Sequence, residues 1–331
     1  MSEIVRLFHG SQICHDVLEV GRFYHDFFGS WVYEAQYLDA EDARNSANLM
    51  GGAFSIELLA PVDPNGNTGV ARFLRRHGSH FNNIAFWARD CRGLAQQLLE
   101  RGVRVAVRGA GFADTLPDGD FDYVITHPKD THGLVLEFLE DQEIHDPRHR
   151  PWWDETYWRD HHPLGILRLS HCTVAVTDLD ASSRVLAEAL ACECVHEEAD
   201  PETGVRSAYF AMGDTLIEVA APTTPDSRMA RHVAEHGSML YRFTFLVRDL
   251  ASVERHADDH RIGIIARGET VELDPEHACG GVFAFTKRAV DVREHGAAYT
   301  HIHAGRHRVA PFRPVDGHER DAVAHLPAKE P

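Results

Sequence analysis

The stretch "HGSHFNNIAFWARD", residues 77–90, decides the fold because the chain contains it twice. It returns as "HGSMLYRFTFLVRD" at residues 236–249, with His, Gly, Ser, Phe, Arg and Asp at matching places. Internal similarity of this kind indicates a repeated structural unit. The first copy also raises a question, because Asn82 and Asn83 open an apolar strand although asparagine is a poor strand former.

Two further pairs of segments extend the repeat. "LFHGSQICHD" and "LSHCTVAVTD" align His9 with His171, and "GGAFSIELLAPVD" and "MGDTLIEVAAPTT" align Glu57 with Glu218. The offsets agree to within a few residues in all three pairs. The sequence therefore predicts a tandem duplication.

Each half repeats one order of elements. After the first strand, Asp16 is a predicted N-cap, an amphipathic helix follows, and Gly29 is its predicted C-cap. Asp90 and Gly102 bracket a second helix in the same way, and short apolar strands follow each helix. The pattern predicts four strand–helix–strands modules, in two sheets that enclose a shared interior.

Composition narrows the class of protein. The chain has 331 residues and a net charge of −18, which disfavours nucleic acid and anionic membrane as partners. We see neither a run long enough for a membrane span nor an export signal, and the six cysteines are irregularly spaced. These features predict a cytoplasmic protein that acts on a small molecule, and they leave a homodimer open.

The predicted domain organisation has four parts: a first domain at 1–141, a linker at 142–165, a second domain at 166–290 and a C-terminal extension at 291–331. Trp152, Trp153 and Trp158 are predicted to anchor the linker, with a substrate-facing aromatic wall as the alternative. In the extension, His301 and His303 are predicted to be solvated, with metal ligation as the alternative.

Four segments resemble the signature strands of the vicinal oxygen chelate superfamily: "LFHGSQICHD", "SIELLAPVD", "FNNIAFWARD" and "GLVLEFLED". This superfamily includes glyoxalase I, methylmalonyl-CoA epimerase, extradiol ring-cleavage dioxygenases and antibiotic-resistance proteins. The resemblance implies an α+β fold of tandem βαβββ modules, two per barrel-like domain (the glyoxalase/dihydroxybiphenyl dioxygenase-like fold). It also implies a divalent metal ion at the centre of the barrel, where adjacent oxygens of the substrate chelate it.

The resemblance assigns metal-ligand positions in the first half to His9, Glu57 and Glu137, and it places Asn83 where relatives have a histidine. One imidazole, two carboxylates and an amide oxygen suit Mn²⁺, Fe²⁺, Mg²⁺, Ni²⁺ or Co²⁺. A buried pair of carboxylates also needs a cation or a shared proton. Two alternatives stay open: Asn83 contacts substrate, or it marks a degenerate site whose carboxylates are protonated or paired with arginine.

The second half departs further from the pattern. His171 and Glu218 match ligand positions, whereas Arg242 replaces a histidine and Phe285 replaces the last carboxylate. Arginine stays charged, so Arg242 is predicted to form a salt bridge with Glu218 and to exclude metal, or else to hold a substrate carboxylate.

Modules can also pair differently. If the second module paired with the third, the ligand set would be Asn83, Glu137, His171 and Glu218.

Three functions are compatible with this sequence. The first is a metal-dependent lyase or isomerase of glyoxalase or epimerase type, in which Glu57 or Glu137 moves a proton. Glu41 is a further candidate base, and His80 is predicted to be a surface-turn histidine, with a proton shuttle as the alternative. The second is an extradiol-type dioxygenase, which the tandem layout favours; the second-domain ligands of that class are two histidines and one glutamate, of which the chain keeps His171. The third is a metal-free binding protein of the resistance type.

Overall fold

The computed structural model describes residues 3–39, 42–51, 54–107, 111–119, 121, 123–140, 153–154 and 156–290. Two predicted features therefore lie outside the described residues: Trp152 and the extension at 291–331. The candidate base Glu41 lies outside them as well.

The first half contains eight strands and three helices. Its strands are β1 (Glu3–Ile13), β2 (Trp31–Leu38), β3 (Ala43–Leu49), β4 (Ser55–Pro61), β5 (His80–Arg89), β6 (Val105–Val107), β7 (Tyr123–Thr126) and β8 (Leu136–Glu140). Its helices are α1 (Val17–Phe28), α2 (Gly69–His77) and α3 (Cys91–Glu100).

The second half repeats this plan after the short helix α4 (Tyr157–Asp160). Its strands are β9 (Ile166–Ala175), β10 (Glu193–Asp200), β11 (Val205–Met212), β12 (Thr215–Pro222), β13 (Met239–Val247), β14 (Ile264–Ala266), β15 (Thr270–Leu273) and β16 (Phe283–Thr286). Its helices are α5 (Leu179–Arg184), which a π-helical turn at Val185–Ala189 extends, α6 (Arg228–His236) and α7 (Leu250–Asp259).

Each half forms one eight-stranded sheet, in the orders β2-β3-β4-β1-β5-β8-β7-β6 and β10-β11-β12-β9-β13-β16-β15-β14. The α+β fold of tandem βαβββ modules is confirmed, although β2 and β6 remain edges of the first sheet in the described part of the chain, so that its barrel is open. β1 runs antiparallel to β5, and β9 runs antiparallel to β13. The first module therefore pairs with the second and the third with the fourth, and the alternative pairing of the second with the third is wrong.

The predicted caps explain where the helices start and stop. The side chain of Asp16 accepts a hydrogen bond from the backbone of Leu18, and Gly29 ends α1 in the left-handed region at φ 62°. Asp90 caps α3 by accepting from the backbone of Gly93. Helix α1 then buries its apolar side, including Tyr24.

The hydrophobic core is continuous between the two halves. Phe28 of α1 packs against rings of the second half, with ring centroids 4.8 Å from Phe283 and 6.0 Å from Phe245. Burial of one such side chain stabilises the fold by about 1.5–3 kcal/mol. Trp158, which is fully buried, donates from Nε1 to the backbone oxygen of Phe28 at 2.8 Å, and Trp153 is also buried. These two tryptophans anchor the connecting segment as predicted.

Reciprocal contacts join the halves. Gly133 lies so close to Ser238 that an added Cβ would collide with the serine backbone, and Gly280 has the same relationship to Ser79. Ser79 and Ser238 hold equivalent places in the repeat, and so do the two glycines. The halves are therefore related by an approximate twofold axis.

No helix within the described residues is long and apolar enough to cross a membrane.

Candidate metal centre

A β-bulge explains the asparagine pair. Along the β1–β5 ladder, Gln12 faces Phe81 and Gly10 faces Ile84, so β5 carries one more residue than β1 over this step. A bulge of this kind bends the strand and re-aims a side chain. It falls on the step that contains Asn83.

The bulge recurs in the second half. Leu240 faces Val174 and Arg242 faces Thr173, with one extra residue on β13. The bulge therefore positions Arg242 in the second sheet as the equivalent bulge positions Asn83 in the first.

The four predicted ligands of the first half come together in the structure. They lie on β4, β1, β5 and β8, which are consecutive strands in the middle of the sheet. His9 Nε2 is 3.5 Å from Glu57 Oε2 and 3.9 Å from Glu137 Oε2. Asn83 Nδ2 donates to Glu137 Oε2 at 2.8 Å. This group of four side chains is called the first centre below.

Two polar atoms of the first centre are buried without a hydrogen-bond partner: Nε2 of His9 and Oδ1 of Asn83. Both residues are only 6% exposed. Burial lowers the pKa of His9 to about 3, so its imidazole is neutral and keeps a lone pair. Leaving such an atom unsatisfied costs about 1–3 kcal/mol. These two atoms each have a free lone pair and lie beside two carboxylates, so the site fits a divalent cation.

A fifth residue, which the sequence reasoning missed, supports the first centre. Asn45 on β3 donates from its side-chain amide to Glu57 Oε1. Its strand, "ARNSANL", buries Asn45, Ser46 and Asn48 although all three are polar. Polar side chains at buried strand positions were the available signal, because buried polar groups need partners.

The second sheet carries an ion-pair cluster in the equivalent place. Arg242 Nη2 is 3.5 Å from Glu218 Oε2, which confirms the predicted salt bridge, and His171 Nε2 is 3.4 Å from the same oxygen. Arg242 Nη1 is also 3.0 Å from Glu272 Oε2. Glu272 was missed by the sequence reasoning, although it stands between two apolar residues in "TVEL".

The assignment of Phe285 to the last ligand position is wrong. Ala85 faces Glu137 in the first sheet, and its repeat partner Thr244 faces Ala284 in the second. Ala284 therefore replaces the carboxylate. Glu272 faces Ala284 across the β15–β16 ladder, so a carboxylate is present on the neighbouring strand instead.

Both carboxylate oxygens of Glu218 have hydrogen-bond partners. It accepts hydrogen bonds from the hydroxyls of Thr173, Ser207 and Tyr209. Burial alone would raise the pKa of Glu218, but the adjoining His171 and Arg242 outweigh burial and hold this pKa well below its usual value. Glu218 is therefore ionised, and the guanidinium of Arg242 supplies the compensating charge.

The prediction that His80 is a surface-turn residue is also wrong. It is only 6% exposed and begins β5. His80 lies beside three other histidines, which sequence reasoning did not bring together. The available signal was the pair of histidines at i and i+4 in "RHVAEH".

Two family models match the chain, each described as the Glyoxalase/Bleomycin resistance protein/Dioxygenase superfamily. One matches residues 9–117 and the other matches residues 168–311. A search of curated proteins found no matching relative.

Among solved structures, the chain is similar to a mutant of 4-hydroxymandelate synthase from Streptomyces coelicolor, with 13% identity and a TM-score of 0.65 over 91% of this chain and 97% of that one. It also matches methylmalonyl-CoA epimerase from Mycobacterium tuberculosis, at 24% identity and a TM-score of 0.34, over 36% of this chain and 87% of that one. The first likeness supports the fold. With a family model on each half, the chain belongs to the glyoxalase/bleomycin resistance protein/dioxygenase superfamily, the vicinal oxygen chelate proteins.

Proposed function

We propose that the chain is a divalent-metal-dependent lyase or isomerase that moves a proton on a small carbonyl or hydroxy-carbonyl substrate at the first centre. The observation that carries this proposal is the pair of orphaned atoms, His9 Nε2 and Asn83 Oδ1, buried beside Glu57 and Glu137.

His9, Glu57, Glu137 and Asn83 would hold the ion. This set is dominated by oxygen and carries two negative charges, which suits Mn²⁺, Fe²⁺, Mg²⁺, Ni²⁺ or Co²⁺. When bound, such an ion supplies Lewis-acid polarisation of a substrate oxygen.

With His9 as a ligand of the ion, the two carboxylates are the groups of the first centre that remain to accept a proton. Each is fixed by a side-chain amide, Asn45 on Glu57 and Asn83 on Glu137. Their side chains are 20% and 15% exposed, so both are sheltered while a substrate can still reach them. A general base must be held within hydrogen-bond reach of the proton that it takes, and these amides provide that orientation.

The second sheet argues against the extradiol-type alternative, because proteins of that class bind their metal with two histidines and one glutamate of the second domain. Arg242 and Ala284 hold two of the ligand positions, and Arg242 already pairs with Glu218 and Glu272. The same ion pairs support a structural role for Arg242 over the substrate-binding role predicted from the sequence.

The test begins with the metal content of full-length protein purified without added metal. His9→Gln, Glu57→Gln and Glu137→Gln are compared with Glu218→Gln, the repeat partner of Glu57 in the second sheet. We expect the three first-centre variants each to lose one equivalent of bound metal and the Glu218 variant to retain it.

Activity is then followed as deuterium uptake from D₂O into methylmalonyl-CoA and into the hemithioacetal of methylglyoxal and glutathione. Proton exchange that depends on metal and on a first-centre carboxylate supports the proposal. Wild-type metal content in all three first-centre variants would overturn it. Oxygen uptake with catechols would instead support a dioxygenase, and a metal-free wild-type protein would support the binding-protein alternative.

A further inference from the structure

Four imidazoles meet where the two halves of the chain touch. His77 ends α2 and His80 begins β5 in the first half, whereas His232 and His236 lie on α6 of the second half. Ring centroids are 5.1 Å apart between His80 and His232, 5.2 Å between His80 and His236, and 4.9 Å between His232 and His236. We call this group the interface histidine cluster.

The ring nitrogens converge as well as the rings. One nitrogen from each of His80, His232 and His236 can be chosen so that all three lie within 4.8 Å of one another. Ligand nitrogens around a tetrahedral zinc ion are about 3.4 Å apart, because the Zn–N bond is about 2.1 Å. Small side-chain rotations would therefore close the three nitrogens around one ion.

The hydrogen bonds leave lone pairs available. His80 donates from Nδ1 to the backbone oxygen of Phe81 at 3.2 Å, which leaves Nε2 unprotonated in the neutral ring. A hydrogen bond from the other ring nitrogen typically orients a metal-binding histidine. Nε2 of His232 is buried without a partner.

The fourth imidazole adjoins the other three. Nδ1 of His77 is 3.3 Å from Nδ1 of His236, so one ring donates to the other, and His236 keeps Nε2 unprotonated when it is the donor. Burial lowers the pKa of His77 and His80 to about 4 and that of His232 to about 3, so these rings are neutral at pH 7.

We propose that the interface histidine cluster is a second metal site, in which His80, His232 and His236 bind Zn²⁺ and join β5 of the first half to α6 of the second. Three imidazole nitrogens favour zinc, copper or nickel over magnesium or calcium. The first centre, with its two carboxylates, has a different preference.

The two sites are separate. His80 precedes Asn83 by three residues of β5, a rise of at most about 10 Å, and among the described residues no side chain of the first centre belongs to the group of converging ligand atoms. The interface histidine cluster is also asymmetric, because Met239 holds the place of His80 in the second half, and Phe73 holds the place of His232 in the first.

This asymmetry provides matched variants. His80→Met and His232→Phe each introduce the residue that the chain itself has at the equivalent position. Calorimetry measures Zn²⁺ binding to full-length protein that has been stripped of metal with a chelator. The wild type and these two variants are compared with His161→Ala, which changes an exposed histidine away from the cluster. Thermal unfolding is recorded with and without zinc. The His301→Ala/His303→Ala double variant accounts for zinc bound by the C-terminal extension, and Glu137→Gln accounts for the first centre.

We expect His80→Met and His232→Phe each to weaken one zinc-binding event by more than about tenfold and to abolish the zinc-dependent rise in Tm. Their Tm without zinc should stay near that of the wild type, and His161→Ala should behave as wild type. The proposal of a second metal site is wrong if both cluster variants keep the wild-type zinc affinity and Tm response. It is also wrong if high-affinity zinc binding is lost only in the extension variant or in the first-centre variant. Because Glu137→Gln is measured separately, failure at one site is distinguishable from failure at the other.

Discussion

Asn83 and Arg242 hold equivalent positions in the two sheets, but their interactions with the neighbouring carboxylates differ in charge. Asn83 donates one neutral hydrogen bond to Glu137 and leaves its own oxygen unpartnered. Arg242 supplies a full positive charge that Glu218 and Glu272 share. Under the proposed function, the first repeat binds a cation at this place, whereas in the second a side chain of the protein provides that charge.

Asn83→His should raise the affinity of the first centre for Zn²⁺ or Ni²⁺ by about tenfold or more, because imidazole suits these ions better than an amide oxygen does. The ratio of Zn²⁺ affinity to Mg²⁺ affinity should rise with it. Competitive titration with a metal indicator measures both values. Asn65→His, in an exposed loop, is the control for a nonspecific gain of one histidine. Unchanged selectivity in Asn83→His would show that Asn83 is not a ligand.

Arg242→Met should lower the free energy of unfolding by about 3 kcal/mol, because it leaves Glu218 buried without its cation. Glu272 is less affected, since Arg228 Nη1 lies 3.1 Å from Glu272 Oε1. Urea denaturation measures the change.

The matched control is Arg206→Met, whose ion pairs are exposed, and a change within about 0.5 kcal/mol is expected there. If both arginine variants lose the same small amount, Arg242 does not compensate a buried charge.

Acid should destabilise the metal-free protein between about pH 6.5 and pH 4. The pKa of His80 is lowered to about 4 by burial, while the unfolded chain takes up this proton near pH 6.5. The unfolded state therefore binds more protons in this window, and the free energy of unfolding falls as the pH falls. His80→Met should flatten the curve.

The measurement is urea unfolding from pH 7.5 to pH 4.5 in the presence of EDTA. His161→Ala, which changes an exposed histidine, should reproduce the wild-type slope. An identical slope in His80→Met would mean that His80 titrates normally in the folded state.

Gly133→Ala should cost more stability than Gly119→Ala. Both glycines have positive φ, 95° and 92°, so the conformational cost of a Cβ is similar at the two sites, about 1–2 kcal/mol. Only Gly133 also meets a neighbour, the backbone of Ser238, whereas nothing lies within 4 Å of a Cβ at Gly119. The collision should add about 1–3 kcal/mol, measurable by thermal or urea unfolding. Equal losses at the two sites would mean that the contact between the halves is loose.

The sequence predicted the modules because its signals were local and repeated. Asp16 and Gly29 mark helix ends, and the repeat aligns His9 with His171 without any structure. Module pairing is a long-range property, so it stayed open until the β1–β5 and β9–β13 ladders were seen.

The sequence does not define the register of the last strand of the second sheet. "GGVFAFT" contains two adjacent glycines and a uniformly apolar strand, so nothing in it marks which residue faces inward, and a slip of one residue exchanges the faces. This explains the wrong choice of Phe285 over Ala284. The interface histidine cluster was missed because its members come from both halves, and only the packing of α6 against β5 brings them together.

The reciprocal contacts of Gly133 with Ser238 and of Gly280 with Ser79 have one more consequence. Each half carries both parts of this contact, so its surface is self-complementary in the way that symmetric dimers require. The two halves of the chain are thus arranged as the subunits of a symmetric dimer are. Because the two copies lie in one chain, they can carry different residues at equivalent positions, as Asn83 and Arg242 do, which two identical subunits cannot.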